Sequence, residues 1–504
     1  MTVGRGLFYH WQSLTSWLQA MNFLLPIYTV AFPEMALLIM ACIALLADVF
    51  VAKQYRIITY YLVLAALVIA FFLALNQFQD YPTAIVTFSG HYVLDKLAVL
   101  SKLFIYLFSF FAFIYAREYI TARNIARSEY YLLGLFSVLG MSIMVSAASF
   151  LTIYLGLELL SLPLYALVAI YRESKLATEA AMKYFVLGAM ASGMLLYGIS
   201  LLYGVTGQID IVGVAYALQT QSDLTVPLLS MIFVLGGLIF KFGAVPFHMW
   251  VPDVYQGAPT PTTLFIASAP KVAAFVIMIR LLVQAMPNLH VNWEHMLIVV
   301  AVLSMFLGNL LAIAQTNLKR MLAYSSIAHI GYTLLGIIAG PYASQGYSAA
   351  MFYISTYVLV AAGAFAIITI MSKDEGEMDK LDDYRGLNAR NPWLAFIMLL
   401  LLFSMAGVPP TVGFFAKLGL LEALVQADLV WLAVLALVFA LIGAYYYLRV
   451  VMLMYFEEPV PALAGSSVTV SSTMLIAISL NGAAALVLGL LPSFFIDLCR
   501  ISLG

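Results

Sequence analysis

The stretch YSAAMFYISTYVLVAAGAFAIITIM, residues 347–371, contains no Asp, Glu, Lys or Arg. A helix of about 20 apolar residues is long enough to cross the hydrocarbon layer of a membrane. This stretch therefore predicts a membrane-spanning helix. Similar apolar stretches, bounded by charged or turn residues, recur along the whole chain.

These stretches predict an all-α fold, a polytopic membrane protein of about fourteen transmembrane helices. The spans lie near residues 24–50, 57–76, 94–116, 129–147, 150–170, 178–204, 227–249, 261–286, 295–315, 321–340, 347–371, 393–426, 429–456 and 468–498.

Composition excludes a water-soluble protein, because 64% of the 504 residues are hydrophobic and only 9% are charged, against roughly 25% charged residues in soluble chains. The net charge is −1 and no basic run is found. We therefore expect membrane lipid as a partner and no nucleic acid.

Cys42 and Cys499 offer no metal-ligand spacing, and no phosphate loop or nucleophile motif occurs. Redox or hydrolytic chemistry is expected in another polypeptide.

Lys and Arg are concentrated in alternate short loops, which marks the cytoplasmic side. These loops contain Lys53, Arg56, Arg117, Arg123, Arg127, Arg172, Lys175, Lys319, Arg320, Lys373, Lys380, Arg385 and Arg390. Opposite loops, such as 205–226, contain none. The pattern predicts both termini outside the cytoplasm.

Residues 1–21 have two interpretations. Leu7, Trp11, Leu14 and Leu18 recur at helical spacing, as in an amphipathic helix at the membrane surface. Alternatively, the start is over-extended and Met21 is the true first residue, an interpretation that we favour.

Two segments share a helix-breaking motif. Residues 241–248 read KFGAVPFH and residues 406–417 read AGVPPTVGFFAK, each with Gly, Val-Pro and a nearby lysine. We expect two inverted five-helix repeats, each with one broken helix, as is usual in ion transporters. The predicted units are an N-terminal extension with three helices (1–128), the two repeats (129–290 and 291–458) and a last helix (459–504).

Five charged side chains fall within apolar spans, namely Glu158, Lys183, Lys241, Lys271 and Lys417. Each costs about 2.5–3.5 kcal/mol at the centre of a membrane helix, so together they represent on the order of 10–15 kcal/mol. They are expected to face the protein interior, where burial favours a neutral lysine and a nearby carboxylate restores its charge. We expect an adjustable Glu158–Lys183 pair that influences Lys241. Backbone groups freed at the helix breaks are expected to hold the water that conducts protons.

Some of these residues also have structural interpretations. Lys183 lies near the end of its span and could extend to the interface. His248 is either a proton relay, since imidazole titrates near pH 6.5, or a cap on freed carbonyls. His329 is favoured as a relay or water-binding group, because Ser325, Ser326 and Tyr332 surround it.

Other charges receive no functional role. Asp95, Lys96 and Lys102 lie at a helix start, where solvated charges are the ordinary explanation. Glu34 either contacts a neighbouring subunit or lies near the interface.

These residues resemble a known family. The segments KFGAVPFHMWVPDVYQGAPTPTT from Lys241, APK at 269–271, NLKRMLAYSSIAHIGY from Asn317 and GVPPTVGFFAK from Gly407 are similar to the antiporter-like subunits of respiratory complex I, over about residues 100–500. The form of the first segment, the chain length and the lysine at 417 favour the subunit N branch over subunit M, where glutamate is usual. Subunit L would need a long C-terminal lateral helix.

The resemblance implies that Glu158, Lys183, Lys241, Lys271 and Lys417 form the proton path. It places the chain in a bacterial inner membrane beside other complex I subunits. NADH, FMN, iron–sulfur clusters and quinone are expected in those partners, with no cofactor in this chain.

Four alternatives stay open at this point. The chain could be a subunit of a multisubunit cation/proton antiporter or of a membrane-bound hydrogenase. It could be a stand-alone secondary transporter, or a scaffold whose buried charges only pack.

Overall fold

A computed structural model describes residues 26–51, 57–123, 125, 127–372, 376–461, 468 and 470–503. Residues 1–21, whose two interpretations are given above, and the loop cations Lys53, Arg56 and Lys373 lie outside the described residues.

The chain folds into a bundle of helices. In the N-terminal half these are α1 (Phe32–Phe50), α2 (Ile57–Asp80), α3 (Lys96–Ala122), α4 (Arg127–Val145), α5 (Phe150–Val168), α6 (Lys175–Thr206), α7 (Ile211–Gln219), α8 (Thr225–Phe242), α9 (Trp250–Gly257), α10 (Thr260–Ile266) and α11 (Ala269–Met278). The C-terminal half adds α12 (His290–Ile313), α13 (Leu318–Ala339), α14 (Gly346–Met371), α15 (Leu387–Arg390), α16 (Pro392–Ala406), α17 (Val412–Gln426), α18 (Val430–Phe456), α19 (Ser472–Leu490) and α20 (Pro492–Leu503).

Thirteen helical stretches among the described residues are long and apolar enough to cross a membrane. The predicted span 393–426 adds to these, because it consists of the two short helices α16 and α17. An all-α polytopic membrane protein is therefore confirmed. The inverted relation between two halves stays a prediction.

Three details differ from the predicted spans. Strands β1 (Ile85–Thr87) and β2 (Tyr92–Leu94) form an antiparallel hairpin after α2, where β-branched and aromatic residues flank a turn at Gly90. The predicted span 261–286 is interrupted between α10 and α11. The last predicted span is two helices, because Pro492 has no backbone N–H with which to continue α19.

Small residues allow the helices to approach closely. A Cβ added at Gly140 of α4 would meet the backbone of Leu160 on α5, and one at Gly308 of α12 would meet the backbone of Ala328 on α13. Helices α13 and α14 are almost entirely buried at the centre. Helix α13 carries His329, and α14 carries Tyr353.

Candidate proton-path site

Lys241 lies in the last turn of α8, which ends where Gly243 adopts a φ of +75°. This left-handed conformation favours glycine and ends the helix. The Nζ of Lys241 donates a 2.8 Å hydrogen bond to the Oγ of Ser161 on α5. Lys241 and Ser161 line a cavity of about 30 Å³, which is enough for a water molecule.

Glu158 lies one turn before Ser161 on α5. Its Oε1 is buried and has no hydrogen-bond partner. The carboxyl group is near enough to Lys241 for an electrostatic interaction between the two side chains. Among the predicted residues, Lys241 is therefore near Glu158, without a direct hydrogen bond between them.

Lys271 belongs to α11 and is only 4% exposed. Its Nζ donates a 3.1 Å hydrogen bond to the carbonyl oxygen of Phe242, the last residue of α8. Carbonyl groups at a helix C-terminus lack helical partners and carry partial negative charge. The buried ammonium therefore has an acceptor because α8 stops in the interior.

Lys417 repeats this arrangement at the end of the second interrupted helix. Its Nζ donates hydrogen bonds of 3.0 and 2.8 Å to the carbonyl oxygens of Met405 and Ala406, at the end of α16. It also lies 5.4 Å from the centre of the Tyr332 ring, within the range of a cation–π contact.

His329 is held between two phenols on neighbouring helices. Its Nδ1 lies 2.8 Å from the hydroxyl of Tyr353, and its Nε2 lies 2.9 Å from the hydroxyl of Tyr447. A cavity of about 10 Å³ is lined by both His329 and Lys417. Lys271 and Lys417 are each near enough for electrostatic interaction with the imidazole, so the structure brings these three predicted residues together.

His248 lies in the turn between α8 and α9 and is buried. Its Nδ1 has no hydrogen-bond partner, so this nitrogen does not cap a freed carbonyl.

The expected pairing of Lys183 with Glu158 is wrong in this structure. Lys183 instead lies 2.8 Å from Glu179, one turn earlier on α6, and 2.8 Å from Asp253 on α9. Its side chain is 43% exposed. Asp253 comes close to α6 because α9 begins soon after the break that follows α8. The other oxygen of Asp253 accepts a 2.8 Å hydrogen bond from Arg320.

The sequence interpretation missed Asp253 and Arg320 as a pair. One sequence feature could have indicated a role for Asp253: it is a charged residue only a few positions beyond Pro246 in an apolar region. Arg320 was read only as a loop cation.

The assignment of Lys102 and Glu34 is corrected as well. Lys102 is fully buried, and its Nζ lies 2.6 Å from Glu34 Oε1 and 2.8 Å from the hydroxyl of Tyr92. The β1–β2 hairpin brings Tyr92 to this pair, and each charge compensates the other, which allows both to be buried.

Asp95, expected to be a solvated end charge, caps α3 by accepting the Ala98 N–H and pairs with buried Arg280.

Buried lysines that cap interrupted helices inside a membrane bundle define an antiporter-like membrane subunit. The sequence profile described as "NADH:quinone oxidoreductase/Mrp antiporter, TM" matches residues 147–443. The NADH-quinone oxidoreductase subunit N of Coxiella burnetii is 52% identical over 482 residues, covering 95% of this chain and 99% of the relative. The chain belongs to the NADH-quinone oxidoreductase subunit N family, which confirms the expected branch.

Solved structures agree with this assignment. A chain of respiratory complex I from Thermus thermophilus is 32% identical, with a TM-score of 0.78, over 93% of this chain and 99% of its own length. A chain of the Mrp complex from Dietzia has a TM-score of 0.82 over 94% of this chain and 97% of its own, at 20% identity. The latter likeness concerns the fold alone.

Proposed function

We propose that this chain is a proton-translocating membrane-arm subunit of NADH:quinone oxidoreductase. Its 52% identical relative carries the name of subunit N of that enzyme. Other subunits of the complex are its partners, and NADH, FMN, iron–sulfur clusters and quinone belong to them. The chain itself holds no redox centre, and it lies in a bacterial inner membrane with both termini on the periplasmic side.

The observation that carries the proposal is the placement of Lys241, Lys271 and Lys417 at interior helix ends. A lysine buried in a membrane is costly as a cation unless acceptors surround its ammonium group. Here a hydroxyl and three carbonyl oxygens accept from these lysines. Such acceptors support the charged form, and their loss favours release of the proton.

Several of these side chains lie near one another, which supports the proposal. Glu158 interacts with Lys241, and the cavity beside Lys241 is also lined by Pro270, next to Lys271. Lys271 and Lys417 both interact with His329. We propose that protons pass along this row with water bridging the cavities, and that Lys183 and His248 serve the end near α9.

The same arrangement supports two related units of five helices, with boundaries near 129–290 and 291–458. In each unit a lysine donates to the carbonyl end of a helix that stops in the interior. If the two units are inverted, as we propose, the two breaks give access from opposite membrane faces. The segments 1–128 and 459–504 flank these units.

Alanine at Glu158 or Lys241 tests the proposal in inside-out membrane vesicles. Both variants are expected to depress NADH-driven proton uptake while the complex still assembles. Normal uptake in both would refute the assignment. Altered assembly with intact pumping of assembled complexes would favour a scaffold, and solute movement by the purified single chain would favour a stand-alone transporter.

A further inference from the structure

Asp253 is shared by two cations from different parts of the chain. Its Oδ2 lies 2.8 Å from Lys183 on α6, and its Oδ1 lies 2.8 Å from Arg320 in the first turn of α13. The Arg320 guanidinium also donates a 3.1 Å hydrogen bond to Gln256 on the same short helix. The Asp253 carboxylate thus forms ion pairs with two cations, one through each oxygen.

Arg320 is held in place independently of Lys183. The side chain of Asn317 caps α13 by accepting the Arg320 backbone N–H at 3.0 Å. The guanidinium lies over the ring of Tyr324 at 5.9 Å. These contacts hold the Arg320 guanidinium beside Asp253 and Gln256 without involving Lys183.

The two cations differ in chemistry. Arginine stays protonated at all relevant pH values, whereas lysine can lose its proton. Removing one member of a partly buried ion pair normally strands the other charge, and this is the main penalty of breaking such a pair. With Arg320 in place, Asp253 keeps a partner when Lys183 departs.

We propose that Arg320 is a positioning residue that holds the Asp253 carboxylate, so that Lys183 can leave it or give up its proton during translocation. This inference rests on the proposed proton-pumping function. Because Arg320 begins the helix that carries His329, the arrangement also links Lys183 of the first predicted unit to the second.

The proposal is tested by removing the compensating cation and then the carboxylate. In Arg320→Gln, Asp253 depends on Lys183 alone, so Lys183 stays bound and NADH-driven proton uptake is lost in large part. In Arg320→Gln combined with Asp253→Asn, the carboxylate charge is gone and uptake recovers. Uptake is normalised to assembled complex, because a merely structural Arg320 would change the amount of complex and leave the uptake per complex unchanged.

The measurements use the assembled complex in inside-out vesicles, with assembly checked by native gel electrophoresis. Arg500→Gln is the matched control, because Arg500 is 56% exposed and its contacts, 3.7 Å to Asp497 and 3.3 Å to Gln345, are long; its uptake should equal that of the parent. Glu158→Ala is measured alongside. Loss in Glu158→Ala with normal uptake in Arg320→Gln would overturn this inference alone, whereas normal uptake in Glu158→Ala and Lys241→Ala would overturn the pumping function itself.

Two further results would also overturn the inference. One is a double variant that pumps no better than Arg320→Gln. The other is failure of Arg320→Gln to assemble, with or without rescue by Asp253→Asn, which would make Arg320 a structural residue.

Discussion

The ammonium group of Lys417 donates a 2.8 Å hydrogen bond to the carbonyl oxygen of Ala406, the last residue of α16. The same contact recurs between Lys271 and Phe242 at the end of α8. A lysine ammonium group therefore lies at the negative end of a helix that stops in the interior. In both places the lysine is the hydrogen-bond donor for carbonyl groups that the helix break leaves free.

Replacing Lys417 separates its capping role from its proton role. Lys417→Arg keeps a permanent positive charge near the Ala406 carbonyl but cannot release its proton. We expect the assembled complex to persist while the rate of NADH-driven proton uptake falls at least about tenfold, as when a proton-transfer group is lost. Lys417→Met should lower both assembly and uptake. Parental uptake in Lys417→Arg would show that the charge alone is needed.

Tyr447 fixes His329, and its hydroxyl is also hydrogen-bonded to Ser325. Tyr447→Phe leaves buried polar atoms without a partner, which costs about 1–3 kcal/mol. We expect a lower apparent melting temperature of the purified complex and slower proton uptake. Tyr445→Phe is the control, because Tyr445 is 58% exposed on the same helix. Equal effects of the two variants would show that Tyr447 does not fix His329.

The buried pair of Glu34 and Lys102 is expected to contribute to stability and not to pumping. Lys102→Met should destabilise the protein by about 3–5 kcal/mol, because Glu34 is left as an unpaired buried charge. Adding Glu34→Leu should restore most of the thermal stability of the complex. A double variant less stable than Lys102→Met would contradict this, and so would a change in proton uptake by the assembled double variant.

Much of the site follows from local sequence, but the partners of its charges do not. Lys241 and Lys417 stand beside Gly and Pro residues that end helices, so both the breaks and the lysines are visible in short segments. The partners of Lys183 and Lys102 are not predictable from local sequence, because Asp253 and Glu34 approach them only after distant helices pack. The roles of the tyrosines around His329 were hidden for the same reason, since Tyr353 and Tyr447 are on other helices.

Glu377, in the loop between α14 and α15, gives a pH prediction. Burial alone would raise the pKa of its carboxyl group, but Lys319, Thr260, Tyr119 and Arg123 together hold that pKa below its ordinary value. A lowered folded-state pKa means that the carboxylate stabilises the protein above about pH 4.3, the pKa of an unperturbed Glu. This contribution is lost as the pH falls through the lowered pKa.

We therefore expect the thermal stability of the complex to fall on acidification below about pH 4.3, and the fall to be smaller in Glu377→Gln. At neutral pH the variant should be the less stable protein. Identical stability profiles of the two proteins from neutral to acidic pH would contradict the role of this carboxylate. Glu457→Gln provides a control, because Glu457 is a more exposed carboxylate paired with Arg385.

The most direct test of the central claim is the rate of NADH-driven proton uptake by inside-out vesicles that contain Lys271→Met, normalised to assembled complex. Lys271 lies in the middle of the row, between the Lys241 cavity and His329. If protons pass along this row, uptake falls to a small fraction of the parental rate. Undiminished uptake in the assembled variant would contradict the account.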